Sequence, residues 1–299
     1  MRVRTSRPNW SVPNKWSREA ESEEVNGVAH AQLNGFNMYY EIHGEGEPVV
    51  CSTGWGLLTG ARFQSIPAEL RERYQLIVYD HRGIGQSSDG SEHSGSTRLY
   101  AEDVAQLIMH LGLKRAHILG RGGLGACVMQ ELAISHPELV HSLALSGGWA
   151  RPEPYHDAVD RLFYRLREQT SFELFQLYGA IICYDAEYFN ENHADLLSPN
   201  GPWSELRECK EAHLKLIRAC LEHDAYDRLP RISAPTLLIY GGVDLLAGPR
   251  LGRELGERIP GAELVILEGT PHVIASHPAA HARFGRVTGD FFARHSLSA

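Results

Sequence analysis

Apolar and polar positions along most of this chain follow two patterns, the alternation typical of β-strands and the spacing typical of α-helices. Near residue 30, the segment AQLNGFNMYYEIHG alternates around an Asn-Gly pair, which predicts a β-hairpin. Short apolar runs then recur and predict the further strands PVVCST, QLIVYD, AHILG, LVHSLALSGG, PTLLIYGGVD and AELVILEG. Stretches with helical spacing separate most of them, near residues 62–74, 97–111, 124–135, 249–258 and 278–294. This alternation predicts an α/β fold with a mostly parallel, eight-stranded sheet and helices on both faces.

The alternation is interrupted after the sixth predicted strand. Residues 151–230 contain only helical patterns, such as HDAVDRLFYRLREQ and SELRECKEAHLKLIRACL. A helical insertion of this size between strands of an open sheet predicts a lid. We therefore divide the chain into an N-terminal arm (1–27), a core (28–150 and 231–299) and a helical lid (151–230). The aromatic residues of the lid favour a moderately large, hydrophobic substrate.

Composition and charge narrow the range of partners. The formal charge of −8 argues against nucleic acid or an anionic membrane surface as the main partner. No apolar run reaches the roughly 18 residues that span a bilayer. The polar N-terminus has no apolar segment typical of a signal peptide, so we expect a cytoplasmic protein. Within the arm, Trp10 and Trp16 are the expected anchors, on the chain's own core or on a second copy in a homo-oligomer.

The cysteines and the glycine-rich segment do not indicate a cofactor. The five cysteines are odd in number and lie mostly in apolar segments, which favours buried, reduced thiols over a disulfide framework. No Cys, His or Asp cluster has the spacing of metal ligands. The segment GRGGLG follows a predicted strand, but it lacks the ribose-binding acid of a dinucleotide site. We expect no metal and no cofactor.

Five motifs occur in a fixed order along residues 28–295. They are CSTGWG (51–56), YDHRGIGQSS (79–88), LGRGGLGACVMQELAISHP (119–137), IYGGVD (239–244) and GTPH (269–272). Together they resemble the α/β-hydrolase family, which uses a nucleophile, an acid and a histidine in this chain order. The resemblance implies that Asp244 and His272 are the acid and the base of a catalytic triad. It implies that the turn from Asp80 to Gly85 has a mainly structural role. We also expect His277 to be structural.

The chain departs from the family at the nucleophile. The family motif is G-x-S-x-G, with the serine on a strained turn between a strand and a helix. Counting from the preceding strand places Gly122 at the serine position, whereas counting back from the helix places Gly123 there. We favour Gly123, because Gly125 then occupies the downstream glycine position. Either choice leaves no side chain to form an acyl-enzyme.

The remaining groups still support chemistry. His272, oriented by Asp244, is suited to act as a general base near neutral pH. The backbone N–H groups of Trp55 and of Leu124 (or Gly123) are the expected oxyanion hole. Thr53, Arg121 and Ser146 are candidate substrate contacts. Thr53 and Ser146, with Ser52 and Cys127, are also candidates for a relocated nucleophile.

Arg121 replaces the small or aromatic residue that usually precedes the nucleophile. A cation at this position could bind an anionic group of the substrate. Pairing with a carboxylate of the lid is the alternative that we favour.

Three hypotheses account for this combination. The first is a cofactor-free enzyme that acts on a hydrophobic carbonyl compound. Its His-Asp dyad is a general base for water or for the substrate itself. It would hydrolyse a lactone, an ester or a C–C bond, or perform lyase, decarboxylase, cyclase or cofactor-independent oxygenase chemistry. The second is a non-catalytic protein that binds a ligand in the cleft that other family members use as their active site. The third is that the glycine was introduced in place of a natural nucleophile.

Overall fold

The computed structural model describes residues 25–90 and 95–298 and contains one eight-stranded sheet. Its strands are β1 (Val25–Leu33), β2 (Phe36–His43), β3 (Glu47–Ser52), β4 (Tyr74–Tyr79), β5 (Ala116–Arg121), β6 (Val140–Ser146), β7 (Thr236–Gly241) and β8 (Glu263–Leu267). All the strands predicted from apolar runs are present. The first two form the hairpin around the Asn34-Gly35 turn, where both residues have positive φ angles, of 44° and 80°.

The helices are α1 (Ala68–Arg71), α2 (Thr97–His110), α3 (Gly122–Ser135), α4 (Pro154–Gln169), α5 (Phe172–Cys183), α6 (Ala186–Leu196), α7 (Lys210–Leu221), α8 (Pro249–Arg258) and α9 (Pro278–Arg294). Our prediction of a single helix over residues 62–74 is wrong. A 3₁₀ helix over Gly60–Ser65 and the short α1 replace it. Pro67 separates the two, because proline cannot donate the backbone hydrogen bond that would join them.

The strand order is β1-β2-β4-β3-β5-β6-β7-β8, and every neighbouring pair from β4 to β8 is parallel. β1 and β2 are antiparallel additions at one edge. The chain proceeds from β3 to one side of the sheet, to β4, and from β5 to the other, to β6. The carboxyl ends of β3 and β5 therefore flank the point where the direction of winding reverses. Ligands of open α/β sheets bind in the crevice at such a point.

Side chains alternate between the two faces of the sheet and enter two separate cores. In β3, Val50 faces the core under α2, α3 and α8, whereas Val49 and Cys51 face the core under α1 and α9. The first core continues into the helices that follow β6. The chain is thus covered on both faces, as the alternation of strands and helices predicted.

The interruption of the alternation corresponds to α4–α7, which lie between β6 and β7. The sequence placed the insertion at residues 151–230, and whether it acts as a lid remains a prediction. Most of the arm, including Trp10 and Trp16, lies outside the described residues, but β1 begins inside it, at Val25. None of the described helices is long and apolar enough to cross a membrane. All five cysteines lie in the described part of the chain and are free thiols.

The junction of β3 with α3 depends on close backbone approach at Gly125. A Cβ atom at this residue would lie 2.6 Å from the carbonyl oxygen of Thr53. Gly125→Ala should therefore reduce the free energy of unfolding by about 1–3 kcal/mol, as expected for an overpacked interior. Denaturant unfolding followed by circular dichroism measures this change.

Gly256→Ala in α8 is the matched control. A Cβ atom there would have only the Leu238 Cδ1 atom nearby, at 3.7 Å. Because alanine is the better helix former, this variant should be as stable as the wild type or more stable. Equal destabilisation of the two variants would contradict the packing assigned to Gly125.

Candidate active site

Asp244 and His272 lie in the turns that follow β7 and β8. The Nδ1 atom of His272 is 2.9 Å from Oδ2 of Asp244. The other carboxylate oxygen of Asp244 accepts hydrogen bonds from the backbone N–H groups of Leu246 and Ala247, at 2.8 and 2.9 Å. Both oxygens are thus held, and the buried carboxylate fixes the orientation of the imidazole. The predicted acid and base are adjacent in space.

The electrostatic surroundings set the pKa of His272. Burial alone favours the neutral imidazole and would lower its pKa. The charge and hydrogen bond of Asp244 outweigh burial and raise the pKa above its usual value, with a smaller contribution from Asp160. His272 is therefore a stronger base than an unpartnered histidine at the same depth. Its neutral form, which a general base requires, predominates only above this raised pKa.

The turn between β5 and α3 is tight and contains the two candidate nucleophile positions. Gly122 has a φ of +60°, in the left-handed region, as expected for a strained turn at this point. A Cβ atom at Gly122 would meet nothing closer than the amide nitrogen of Gly54, at 3.5 Å. A Cβ atom at Gly123 would lie 2.9 Å from the Trp149 ring. Only Gly122 has room for a side chain.

This geometry disagrees with our preference for Gly123. The downstream glycine, Gly125, does not decide the count, because its close packing on Thr53 requires a glycine there in either case. With Gly122 at the nucleophile position, the next backbone N–H group belongs to Gly123 and not to Leu124. Trp55 and Leu124 both line the pocket, and their role as oxyanion donors stays a prediction.

The loop after β6 brings the turn and the base together. A Cβ atom at Gly147 would lie 3.2 Å from Cε1 of His272 and 3.8 Å from the amide nitrogen of Gly123. The φ of Gly147 is +71°, so glycine suits both its backbone and the close approach of the ring. His272 thus packs against a bare backbone segment beside Gly123.

One pocket contains the candidate groups. It has a volume of about 220 Å³, and its lining includes His272, Gly122, Thr53, Ser146 and Arg121. Pockets for drug-sized ligands begin at about 300 Å³. The volume therefore favours a smaller substrate than the aromatic residues of the insertion led us to expect.

The alternatives for a relocated nucleophile divide into two groups. Thr53 and Ser146 line the pocket, as predicted. Ser52 accepts a hydrogen bond from the Tyr79 hydroxyl, and the Cys127 thiol donates to the carbonyl of Trp149. Burial raises the pKa of the Cys127 thiol well above its usual value, which disfavours the reactive thiolate.

Arg121 does not pair with the lid. Its guanidinium donates to the carbonyl oxygen of Ser65 at 2.9 Å and to the hydroxyl of the same residue at 3.4 Å. Among the residues that the structure describes, no carboxylate forms an ion pair with it, so the pairing that we favoured is wrong. Burial lowers the pKa of Arg121 to about 10, which still leaves a positive charge at neutral pH.

Asp80 and His277, which we expect to be structural, both have partners in the described part of the chain. Asp80 accepts hydrogen bonds from the Thr59 hydroxyl and the backbone N–H of Gln86, which close its turn. His277 pairs with Asp185 at 3.0 Å, at the start of α9. In the described ranges 25–90 and 95–298, no group of three or more His, Cys, Asp or Glu side chains could hold a metal ion.

Sequence reasoning missed three residues beside the pocket. Trp149 and Asp160 line it, and His156 packs on Trp149 with ring centroids 4.0 Å apart. All three side chains are buried. His156 and Asp160 are four residues apart on α4, which places them on one face of a helix, but this spacing alone does not distinguish a site from a surface pair.

Comparison with known proteins identifies the family. Residues 47–177 match the model of the alpha/beta hydrolase fold family. The RutD protein of Azorhizobium caulinodans, which is named as a proposed carbamate hydrolase, is 30% identical over 249 residues, covering 83% of this chain and 93% of its own length. The RutD protein of Pseudomonas savastanoi pv. phaseolicola is 29% identical and covers 85% of this chain and 98% of its own length. This chain belongs to the α/β-hydrolase family.

Solved structures share the fold. The enol-lactonase from Burkholderia xenovorans LB400 aligns with a TM-score of 0.76 and 24% identity, over 89% of this chain and all of its own. MGS-M2, an α/β hydrolase from a deep-sea metagenome library, aligns with a TM-score of 0.78 and 22% identity, over 90% of this chain and 98% of its own. Together with the relatives, the family membership identifies a hydrolase-type enzyme that acts on a small molecule.

The contact between Asp244 and His272 predicts a measurable shift in the titration of the ring. Asp244→Asn removes the charge that raises the pKa of His272 and leaves the burial that lowers it. The pKa of His272 should therefore be above that of a free histidine in the wild type and below it in the variant. Titration of the His272 Cε1 proton by NMR measures both.

Asp227→Asn is the control, because the Asp227 side chain is 95% exposed and, within the described residues, its ion pair is with Arg258, at 3.8 Å. This variant should leave the His272 titration unchanged. An unaltered pKa in Asp244→Asn would contradict the assigned contact.

Proposed function

We propose that this chain is a cofactor-free hydrolase in which His272, oriented by Asp244, activates water beside Gly122 for attack on a small carbonyl compound. The observation that carries the proposal is the combination of a held carboxylate-imidazole pair, 2.9 Å apart, with a turn at Gly122 that has space but no side chain. A protein that only binds a ligand has no physical need of such a pair.

The proposed reaction follows from the absence of a side chain at Gly122. His272 accepts a proton from water through Nε2, and the water oxygen attacks the carbonyl carbon directly. Backbone N–H groups of the two loops, at Trp55 and at Gly123 or Leu124, stabilise the charge that develops on the carbonyl oxygen. No acyl-enzyme forms. The helices α4–α7 serve as the lid that shields this step from bulk water.

The candidate substrates are esters, lactones and carbamates. Carbamate is included because the RutD relatives are named for its hydrolysis. The pocket volume of about 220 Å³ supports a small member of these classes. Arg121 supports a substrate with an anionic group, since it places in the wall of the pocket a positive charge that has no carboxylate partner among the described residues.

Loss of the base should abolish turnover. His272→Ala should lower kcat by about 10²- to 10⁴-fold, the range of general base catalysis. Gly122→Ser should not raise turnover, because its hydroxymethyl group occupies the space assigned to the attacking water. Initial rates of ester, lactone and carbamate hydrolysis measure both effects.

His277→Ala is the matched histidine control. His277 pairs with Asp185 and should retain full activity when replaced. Full activity in His272→Ala would overturn the proposal. A large gain of activity in Gly122→Ser would also overturn the proposal, because this gain would show that the site works best with a serine nucleophile.

Removal of the charge at Arg121 should affect anionic substrates selectively. Arg121→Gln should raise KM for monomethyl succinate by about 10- to 100-fold, as expected for a lost charged hydrogen bond. Dimethyl succinate has nearly the same size but no charge, and its KM should change little. Equal effects on the two esters would assign Arg121 a structural role.

A further inference from the structure

Three buried side chains next to the pocket have polar atoms without partners. In the described part of the chain, no hydrogen bond reaches Nε1 of Trp149, either ring nitrogen of His156 or either carboxyl oxygen of Asp160. All three side chains are at most 1% exposed. Buried polar groups in folded proteins are almost always hydrogen-bonded, and each one left alone is unfavourable. These unpaired groups are available to hydrogen-bond with a ligand or with water beside the pocket.

The position of Asp160 relates this cluster to the proposed reaction. Asp160 lines the same pocket as His272, although it belongs to α4 and His272 to the turn after β8. The two groups are close enough for the charge of each to affect the pKa of the other. Trp149 connects α4 to the turn between β5 and α3, which we call the elbow. Its ring packs on His156 and also fills the space beside Gly123.

The surroundings of Asp160 favour its neutral form. Burial raises the pKa of Asp160 to about 8, while burial lowers the pKa of His156 to about 4. Oδ2 of Asp160 and Nε2 of His156 are 3.7 Å apart, too far for a hydrogen bond. The titratable groups that interact with Asp160 are His156 and Asp157 on α4, Tyr178 and Cys183 on α5, Cys220 on α7, Cys127 on α3 and His272. Only the histidines among these can offset its charge.

We propose that Asp160 is the general acid of this site and donates a proton to the leaving atom of the substrate. The proposal rests on the proposed function, since it assigns the second proton transfer of the same hydrolysis. Two residues of the pocket lining then act on the substrate. His272 acts on the water from the sheet side, and Asp160 acts on the leaving group from the helical insertion.

The proposed sequence of bonds and protons balances. Water adds to the carbonyl carbon, its proton passes to Nε2 of His272, and the π electrons of the C=O bond move to the carbonyl oxygen. The C=O bond then reforms, the bond to the leaving atom breaks, and the electron pair of that bond accepts the proton of Asp160. The products are the acid and the protonated leaving group. The His272 imidazolium returns its proton to the Asp160 carboxylate through water, which restores the site.

The dependence on leaving group tests this role. Asp160→Asn keeps the size and a hydrogen-bond donor but cannot transfer a proton. It should lower kcat about 10²-fold for methyl and ethyl esters, which leave as strong bases and need an acid. It should change kcat by less than about threefold for 4-nitrophenyl esters, whose leaving group needs no proton. An equal loss for both kinds of ester would overturn the proposal.

A matched control lies on the same helix. Asp157→Asn removes a partly exposed carboxylate that pairs with Arg161 in the next turn of α4. It should leave the ratio of the two ester rates unchanged. If Asp160→Asn fails to fold, Asp160→Ala enters the same comparison, and its loss should show the same dependence on leaving group.

The pH profile provides a second measurement. With alkyl esters, kcat of the wild type should fall as pH rises through the pKa of Asp160, because the acid form is lost. This basic limb should be absent in Asp160→Asn and retained in Asp157→Asn. Persistence of the limb in Asp160→Asn would assign it to another group and contradict the role of Asp160.

A spectroscopic measurement separates this proposal from the proposed function. The infrared difference between the wild type and Asp160→Asn at pH 7 should contain the C=O stretch of a protonated carboxylic acid. A carboxylate band instead would overturn the role of Asp160, even if His272→Ala is inactive and the proposed function stands. Full activity in His272→Ala would overturn the proposed function, while the infrared band would still report whether Asp160 holds a proton.

Discussion

The hydrogen bond between Asp244 and His272 is the interaction on which the site depends. A carboxylate at this depth is stable only if its oxygens are occupied, and here two backbone N–H groups and the imidazole occupy them. The turn after β7 supplies the backbone donors, and the turn after β8 supplies the ring. Because the parallel strands end at one edge of the sheet, these turns meet there, and His272 lines the same pocket as Gly122.

The elbow retains its backbone without its usual side chain. Gly122 has a φ in the left-handed region, which glycine adopts readily, and a Cβ atom there would lie 3.5 Å from the amide nitrogen of Gly54, an ordinary contact distance. Under the proposed function, a water molecule activated by His272 reacts beside Gly122. Asp160, whose carboxyl oxygens have no hydrogen-bond partner among the described residues, lines the same pocket.

Local patterns in the sequence predicted the fold and the acid-base pair, because both depend on short segments. The alternating hairpin pattern and the apolar runs together identify all eight strands, and the motifs around Asp244 and His272 place these two residues at strand ends. The choice between Gly122 and Gly123 needed the packing of Trp149, which is distant in sequence from the elbow. Asp160 was missed because its importance lies in missing partners and in proximity to His272, neither of which helical spacing reveals. The expected ion pair of Arg121 was wrong because its contacts with Ser65 join distant parts of the sequence, which local patterns do not reveal.

Direct attack by water makes one measurement decisive. Intact-protein mass spectrometry of the wild type, quenched during steady turnover of an ester substrate, reports whether any side chain carries the acyl group. Direct attack by water predicts only the unmodified mass of the chain throughout turnover. An acyl adduct that forms and decays at the rate of turnover, on Thr53, Ser146 or any other residue, would show that a relocated nucleophile replaces the missing serine and would contradict the account.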